Sequence, residues 1–296
     1  MKASRPEQGK LFAPGRVRVE RGVVFREKLC KTALSPSGLS DYSLNCYTGC
    51  EHACAYCYAS YMKRFAGREE PWGLFVDAKV NFVSVLEREL RRRKPGSVFA
   101  SSVCDPYQPA EARYRLTRGA LELLERSDFS VHILTKNIMA RRDLDILARM
   151  GKRASIGMSI PTLDERLWLA LDGRSSPPPE RLKLLAEARS MGIRTSIMCA
   201  PIIPKVTGLP RLLENLFKAI AKAGVSSLMV DDFNPYPGAR WRLLDALKRA
   251  DPQAALELGR LLKNPAELEK ETEKLRSLIL EAAQKAGLGQ LLKSIL

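Results

Sequence analysis

Four cysteines within twelve residues, Cys46, Cys50, Cys54 and Cys57, constrain this chain more than any other feature. A segment that gathers so many thiols either binds metal or is cross-linked. Disulfide frameworks scatter an even number of cysteines through small secreted chains. This chain has seven in 296 residues, and the other three, Cys30, Cys104 and Cys199, stand alone. The pattern belongs to a reducing compartment and to a metal. Within the run, Cys50, Cys54 and Cys57 form C-x3-C-x2-C. Three thiolates on one short loop can hold three irons of a cubane cluster and leave the fourth without a protein ligand. Clusters that only carry electrons usually have four cysteine ligands. An open iron is a place for a substrate or cofactor, by the logic of the open position in a catalytic zinc site. Structural zinc is the alternative, with Cys46 as a fourth thiolate, although zinc modules usually bring two ligand pairs from separate turns.

Around this loop the chain alternates. Short β-branched or apolar runs at 97–104, 130–135, 154–160, 194–200 and 227–230 are separated by helical patterns at 82–93, 117–126, 143–150, 179–191 and 209–223. Gly96, Gly151, Gly192 and Gly224 fall between a helix and the next strand, the expected place of a C-cap glycine. The βαβα order predicts a parallel sheet with right-handed crossovers. About six such units predict an α/β fold of partial (β/α)6 barrel type. Residues 1–40 read as a basic arm with a short strand at 17–24, residues 41–240 as the barrel core, and residues 241–296 as a helical C-terminal extension without strand signal, for example at 265–286.

Polar residues gather where each strand finishes. The first run ends in Ser101-Ser102-Val103-Cys104-Asp105, the next in Thr135-Lys136-Asn137, and the next in Ser159-Ile160-Pro161-Thr162; the later two end near Cys199-Ala200-Pro201 and at Asp231-Asp232-Phe233-Asn234. In a (β/α) barrel that rim is the active-site face.

These residues resemble the radical S-adenosylmethionine (SAM) superfamily, and more narrowly its spore photoproduct lyase-related group, often labelled DNA repair photolyase-like. The resemblance covers most of residues 40–235. It rests on the cysteine loop with Tyr56 and Tyr58, on Asp105-Pro106-Tyr107-Gln108-Pro109-Ala110-Glu111, on Thr135-Lys136, on the SIGMSI stretch at 155–160, and on Ala200-Pro201-Ile202-Ile203-Pro204. It implies a [4Fe–4S] cluster held by Cys50, Cys54 and Cys57, with SAM chelating the open iron. One electron, from a donor such as a ferredoxin or flavodoxin, then breaks SAM into methionine and a 5′-deoxyadenosyl radical that takes hydrogen from a substrate. By the same resemblance, Lys136 and Ser159 hold the SAM carboxylate, Ser101 and Ser102 lie at the methionine amino group, and Tyr56 packs near the adenine. Cys104 matches the cysteine that returns hydrogen to the product, with Tyr56 and Tyr58 as relays. Cys104 directly precedes Asp105, whereas in the spore enzymes the cysteine sits further ahead of the acidic residue. Cys46 replaces the proline of the group's Asn-Pro-Tyr, and Asp172-Gly173 stands where the group tends to have Glu-Pro.

Charge bears on the partner. Lys plus Arg is 49 against 33 for Asp plus Glu, a net charge of +16, which favours a polyanion. Arg16, Arg18, Arg21, Lys63-Arg64, Arg240 and Arg242 are placed to contact phosphates at the rim, and Trp241 to stack on a base. The expected activity is radical SAM chemistry on nucleic acid, possible photoproduct repair by a lyase included. The alternatives are radical SAM chemistry on a protein or small molecule, and a zinc-stabilised nucleic-acid-binding protein without catalysis. No stretch is long and apolar enough to span a bilayer, and the polar start MKASRPEQGK is no secretory signal, so a cytoplasmic location is expected.

Overall fold

Parallel pairing of the anticipated strands builds the frame. The computed structural model describes residues 15–234 and 236–295. Among these the strands are β1 (Val17–Glu20), β2 (Val23–Lys28), β3 (Leu34–Pro36), β4 (Tyr42–Leu44), β5 (Tyr47–Thr48), β6 (Phe75–Lys79), β7 (Ser97–Ala100), β8 (Ser130–Thr135), β9 (Ala154–Ser159), β10 (Arg194–Ile202), β11 (Ser227–Asp232) and β12 (Leu292–Ile295). The helices are α1 (Met62–Ala66), α2 (Phe82–Leu90), α3 (Glu111–Tyr114), α4 (Leu116–Glu125), α5 (Leu144–Met150), α6 (Glu165–Asp172), α7 (Pro178–Ser190), α8 (Pro210–Ala223), α9 (Pro237–Ala250), α10 (Pro252–Leu261) and α11 (Pro265–Lys285). The larger sheet runs β12-β11-β10-β9-β8-β7-β4-β3. Every neighbouring pair in it is parallel except β3 with β4. Its edges β3 and β12 do not pair, so the barrel stays open. Strands β4 and β7 to β11 are the six expected units, and the first of them, β4, precedes the run read from sequence as the first strand.

Local rules account for the elements. Strand β9 is buried on both faces apart from one partly covered residue, as parallel strands under helices are. Gly157 in β9 is required there, since a Cβ would lie 2.4 Å from Ser196 Oγ on β10. Helix α8 starts on Pro210 and ends at Gly224 with φ of 63°, the proline-first, glycine-last arrangement. It buries Leu213, Leu216, Phe217 and Ile220 at helical spacing, each side chain contributing about 1.5–3 kcal/mol.

Three expectations are corrected. The strand at 17–24 is a hairpin: Arg21 and Gly22 have φ of 48° and 77°, the two positive values of a tight turn, and β2 continues alongside β6 in a second sheet ordered β1-β2-β6-β5. Gly96 is not a helix cap, because α2 ends at Leu90; a Cβ on Gly96 would instead lie 2.8 Å from Asp41 Oδ2. The C-terminal region does carry a strand, β12, which adds to β11 at the sheet edge; four residues are too few to register as a period. The first residues of the arm, 1–14, lie outside the described residues. Among the described residues no helix is long and apolar enough to cross a membrane.

Candidate active site

The cysteine loop leaves β4, passes through β5 and lies against β6. Two glycines make that approach possible. Gly49 has φ of 87° and a Cβ there would stand 2.3 Å from Phe75 O; Gly73 has φ of 93° and its Cβ would stand 2.2 Å from Ala53 Cβ. Cys50 is buried with Ala59, Trp72 and Phe75. Cys54, Ala55 and Tyr56 are buried with Leu243, Ala246 and Leu247 of α9 and Leu258 of α10, so the C-terminal extension covers the loop. Cys57 packs against both groups. The charges of Cys54 and Cys57 both reach Cys50. Burial pushes the Cys54 thiol up to about 12, against the pull of Lys136 and Arg181, so iron must displace a proton to bind it. Cys46 goes elsewhere: it lies in the main core, where burial, Glu111 and Cys104 raise its pKa.

Asp105 joins this loop to the rim. Its Oδ2 lies 3.3 Å from His52 Nδ1 and accepts the Lys136 backbone N–H at 2.8 Å; its Oδ1 accepts from Thr135 Oγ1 at 2.6 Å. Burial alone would raise its pKa, but His52 and these donors hold it at about 2. Lys136 then projects from the end of β8. Its Nζ donates to Ser159 Oγ at 2.8 Å and lies 5.3 Å from the centre of the Tyr56 ring. Its charge also reaches Cys54 and Cys57.

A buried ion pair backs Tyr56 and Ser159. Arg181 is fully buried; it donates to Ser159 O at 2.6 Å and approaches Asp172 Oδ2 at 3.4 Å. Tyr56 donates to the same Asp172 oxygen at 3.0 Å. Asp172, of the Asp172-Gly173 departure, thus partners both Tyr56 and Arg181.

Asn45 organises the opposite wall. Its Oδ1 accepts from Ser101 Oγ at 2.7 Å and from the Ser102 and Val103 backbone N–H at 3.1 Å each. Its Nδ2 donates to Ser102 Oγ at 3.2 Å. Ser101 Oγ and Cys104 Sγ share a hydrogen bond of 3.0 Å, and the Cys104 thiol also donates to Tyr47 O at 3.4 Å. Tyr58 donates to Ser102 O. The structure therefore brings Tyr58 to the Cys104 segment but sends the Tyr56 hydroxyl to Asp172. Both serines are held by Asn45, with their hydroxyls already engaged.

The sequence profile described as the radical SAM superfamily matches residues 44–211, more than half of the chain. The chain belongs to the radical SAM superfamily. An uncharacterized protein of Mycobacterium tuberculosis is 33% identical over 245 residues, 78% of this chain and 72% of that one. The Radical SAM Nalpha-GlyT isomerase of Pseudomonas phage M6 is 25% identical over 182 residues, 61% of this chain and 37% of that one. Among solved structures, a spore photoproduct lyase mutant with bound AdoMet and dinucleoside spore photoproduct superposes with a TM-score of 0.67 at 16% identity, covering 92% of this chain and 82% of that one; this likeness shows the fold.

Radical SAM enzymes use a [4Fe–4S] cluster and SAM, and the donor set here fits them. Three thiols share one rim with a lysine, and the buried Trp72 Nε1 beside them has no hydrogen-bond partner. Among the described residues no three His, Cys, Asp or Glu side chains converge on a single-ion site. A cubane needs its thiolates spread wider than one ion does. With Cys46 in the core, the four-thiolate zinc alternative is set aside. Sequence reasoning missed Asn45, His52 and Arg181, noted Asp172 only as a departure, and gave Arg242 to phosphates, whereas its Nη2 donates to Cys57 O. Their signals were weak: each is a single polar residue, and Asn45, His52 and Arg242 find their partners far along the chain.

Proposed function

We propose that Cys50, Cys54 and Cys57 hold the cluster and that the enzyme acts on nucleic acid. Bound together, the cluster and SAM supply a 5′-deoxyadenosyl radical that abstracts hydrogen from the substrate. Lys136 and Ser159, already bonded to one another, hold the SAM carboxylate between a charge and a hydroxyl donor. Tyr56, fixed by Asp172, offers a ring face to the adenine, and Ser101 and Ser102 lie toward the amino group. Cys104 Sγ–H is the hydrogen-atom source for the product, with Tyr58 beside it as relay. The covering of the loop by α9 and α10 keeps water from the radical.

One observation carries the substrate class. An aromatic row lies on the surface next to the cysteine loop: Tyr61 meets Phe65 at 6.1 Å and Tyr236 at 6.2 Å between ring centres. Arg64 stands 5.9 Å from the Phe65 ring centre, and Phe65 and Trp241 are 72% and 65% exposed. Exposed rings interleaved with cations on a chain of net charge +16 suit stacked bases and phosphates. A duplex base would have to be extruded to reach the buried thiols. The spore photoproduct lyase complexed with a dinucleoside supports the same class.

Anaerobic reconstitution should give a brown protein with cubane iron and sulfide that releases 5′-deoxyadenosine from SAM with dithionite. Cys50→Ala, Cys54→Ala and Cys57→Ala should each abolish this. Incubation with UV-irradiated oligonucleotide and mass analysis tests the substrate. Cys104→Ala should keep SAM cleavage but change the product distribution. Failure to bind a short oligonucleotide at low salt would move the assignment to a protein or small-molecule substrate.

A further inference from the structure

Two side chains from outside the loop, Trp72 and Arg242, close on Cys57. Trp72 is 8% exposed and stacks edge-on against Phe75 at 5.9 Å. Trp72 packs in the group that holds Cys50 and Cys57, and its Nε1 is buried without a hydrogen-bond partner. Arg242 reaches in from α9. Its Nη2 donates to Cys57 O at 3.0 Å, and its Nε is buried without a partner. Two buried N–H groups without partners thus lie beside Cys57, one on a side chain packed with it and one on a side chain bonded to its backbone.

Resting on the assignment of Cys50, Cys54 and Cys57 as cluster ligands, we propose that Trp72 and Arg242 set the reduction potential of the cluster by stabilising negative charge at Cys57. Reduction adds one electron to a centre bound by three thiolates. An N–H dipole and a cation beside one ligand favour the more negative state, and both act more strongly in a buried pocket. Because Arg242 is carried by α9, the C-terminal helices contribute to the redox centre as well as covering it. A purely structural role for either residue would leave the potential where it is.

The test is a dithionite titration of the reconstituted, SAM-free holoprotein, followed by the EPR signal of the reduced cluster. Trp72→Phe and Arg242→Gln should each lower the equilibrium constant for reduction about tenfold, a fall of about 59 mV for a one-electron couple. Arg242→Lys should recover most of the loss. Variants with full iron and sulfide and unchanged midpoints would overturn the proposal. A wild-type chain that never acquires cubane iron would overturn the ligand assignment as well, and the metal analysis tells the two failures apart. Should the Trp72 variant not load, the native residue is read directly. Protein labelled with ¹⁵N at the indole, in a Trp168→Phe, Trp241→Phe background, should show nitrogen hyperfine coupling to the reduced cluster, and its absence overturns the role of Trp72.

Discussion

His52, in the middle of the cysteine loop, faces Asp105 across 3.3 Å. The same Asp105 carboxylate holds the backbone of Lys136. The thiol-bearing loop and the cation at the end of β8 are therefore registered against each other through one buried side chain. The proposed function uses that registration, since it has SAM touch both.

Acid should release it. The Asp105 pKa in the folded chain is depressed to about 2 from 3.8. A depressed carboxyl contributes stability that is fully present above the unfolded value and is lost as pH falls through the folded value. The window is therefore about pH 4 down to about pH 2, and the contribution is about 2 kcal/mol. Asp105→Asn should remove that share of the acid sensitivity and be less stable at neutral pH. Urea unfolding across the window checks this; an unchanged slope in the variant would show that Asp105 does not carry it.

Lys136 should matter for cofactor affinity rather than for stability. A hydrogen bond to a charged group is worth about 1.5–3 kcal/mol, so Lys136→Met should weaken SAM binding by roughly 10- to 150-fold. Equilibrium dialysis with the reconstituted protein measures it. Equal affinity in the variant would place the SAM carboxylate away from Lys136.

The sequence made some of this legible and hid the rest for a physical reason. The barrel strands showed because buried parallel strands read as apolar runs, and β8 appears with the expected bounds, Ser130–Thr135. The C-x3-C-x2-C spacing showed because the three ligands are local. Lys136, just after β8, and Ser159, at the end of β9, showed as rim residues whose role came only through family resemblance, and the structure does bring them together. Asn45 gripping Ser101 and Ser102, and Arg242 reaching Cys57 from 185 residues away, did not show. Such contacts depend on tertiary placement, and no periodicity marks them.

The buried Arg181–Asp172 pair, its members nine residues apart, has a measurable consequence of its own. Both side chains are almost fully buried, and Asp172 also anchors Tyr56. Removing one member of a buried pair leaves an uncompensated charge, at a cost of about 3–5 kcal/mol. Arg181→Met should therefore destabilise the chain strongly, and adding Asp172→Asn should restore part of the loss. Thermal unfolding of the three variants gives the coupling; simple additivity would mean that the two residues act independently.

The surface row gives the sharpest test of substrate class. The Phe65 ring is 72% exposed, so its removal should leave the melting temperature unchanged. Base–aromatic stacking is worth about 1–3 kcal/mol per base, so Phe65→Ala should weaken binding of single-stranded DNA by about 5- to 150-fold. Arg64→Ala should act differently. It should weaken binding to every sequence and reduce the dependence on salt, since one phosphate contact contributes about 0.7 to the slope of log affinity against log salt for a single strand. Leu280, exposed on α11, serves as the control, and Leu280→Ala should bind as wild type. Equal oligonucleotide affinity in all three variants would mean that the aromatic row does not stack bases, and the nucleic-acid assignment would lose the observation on which it rests.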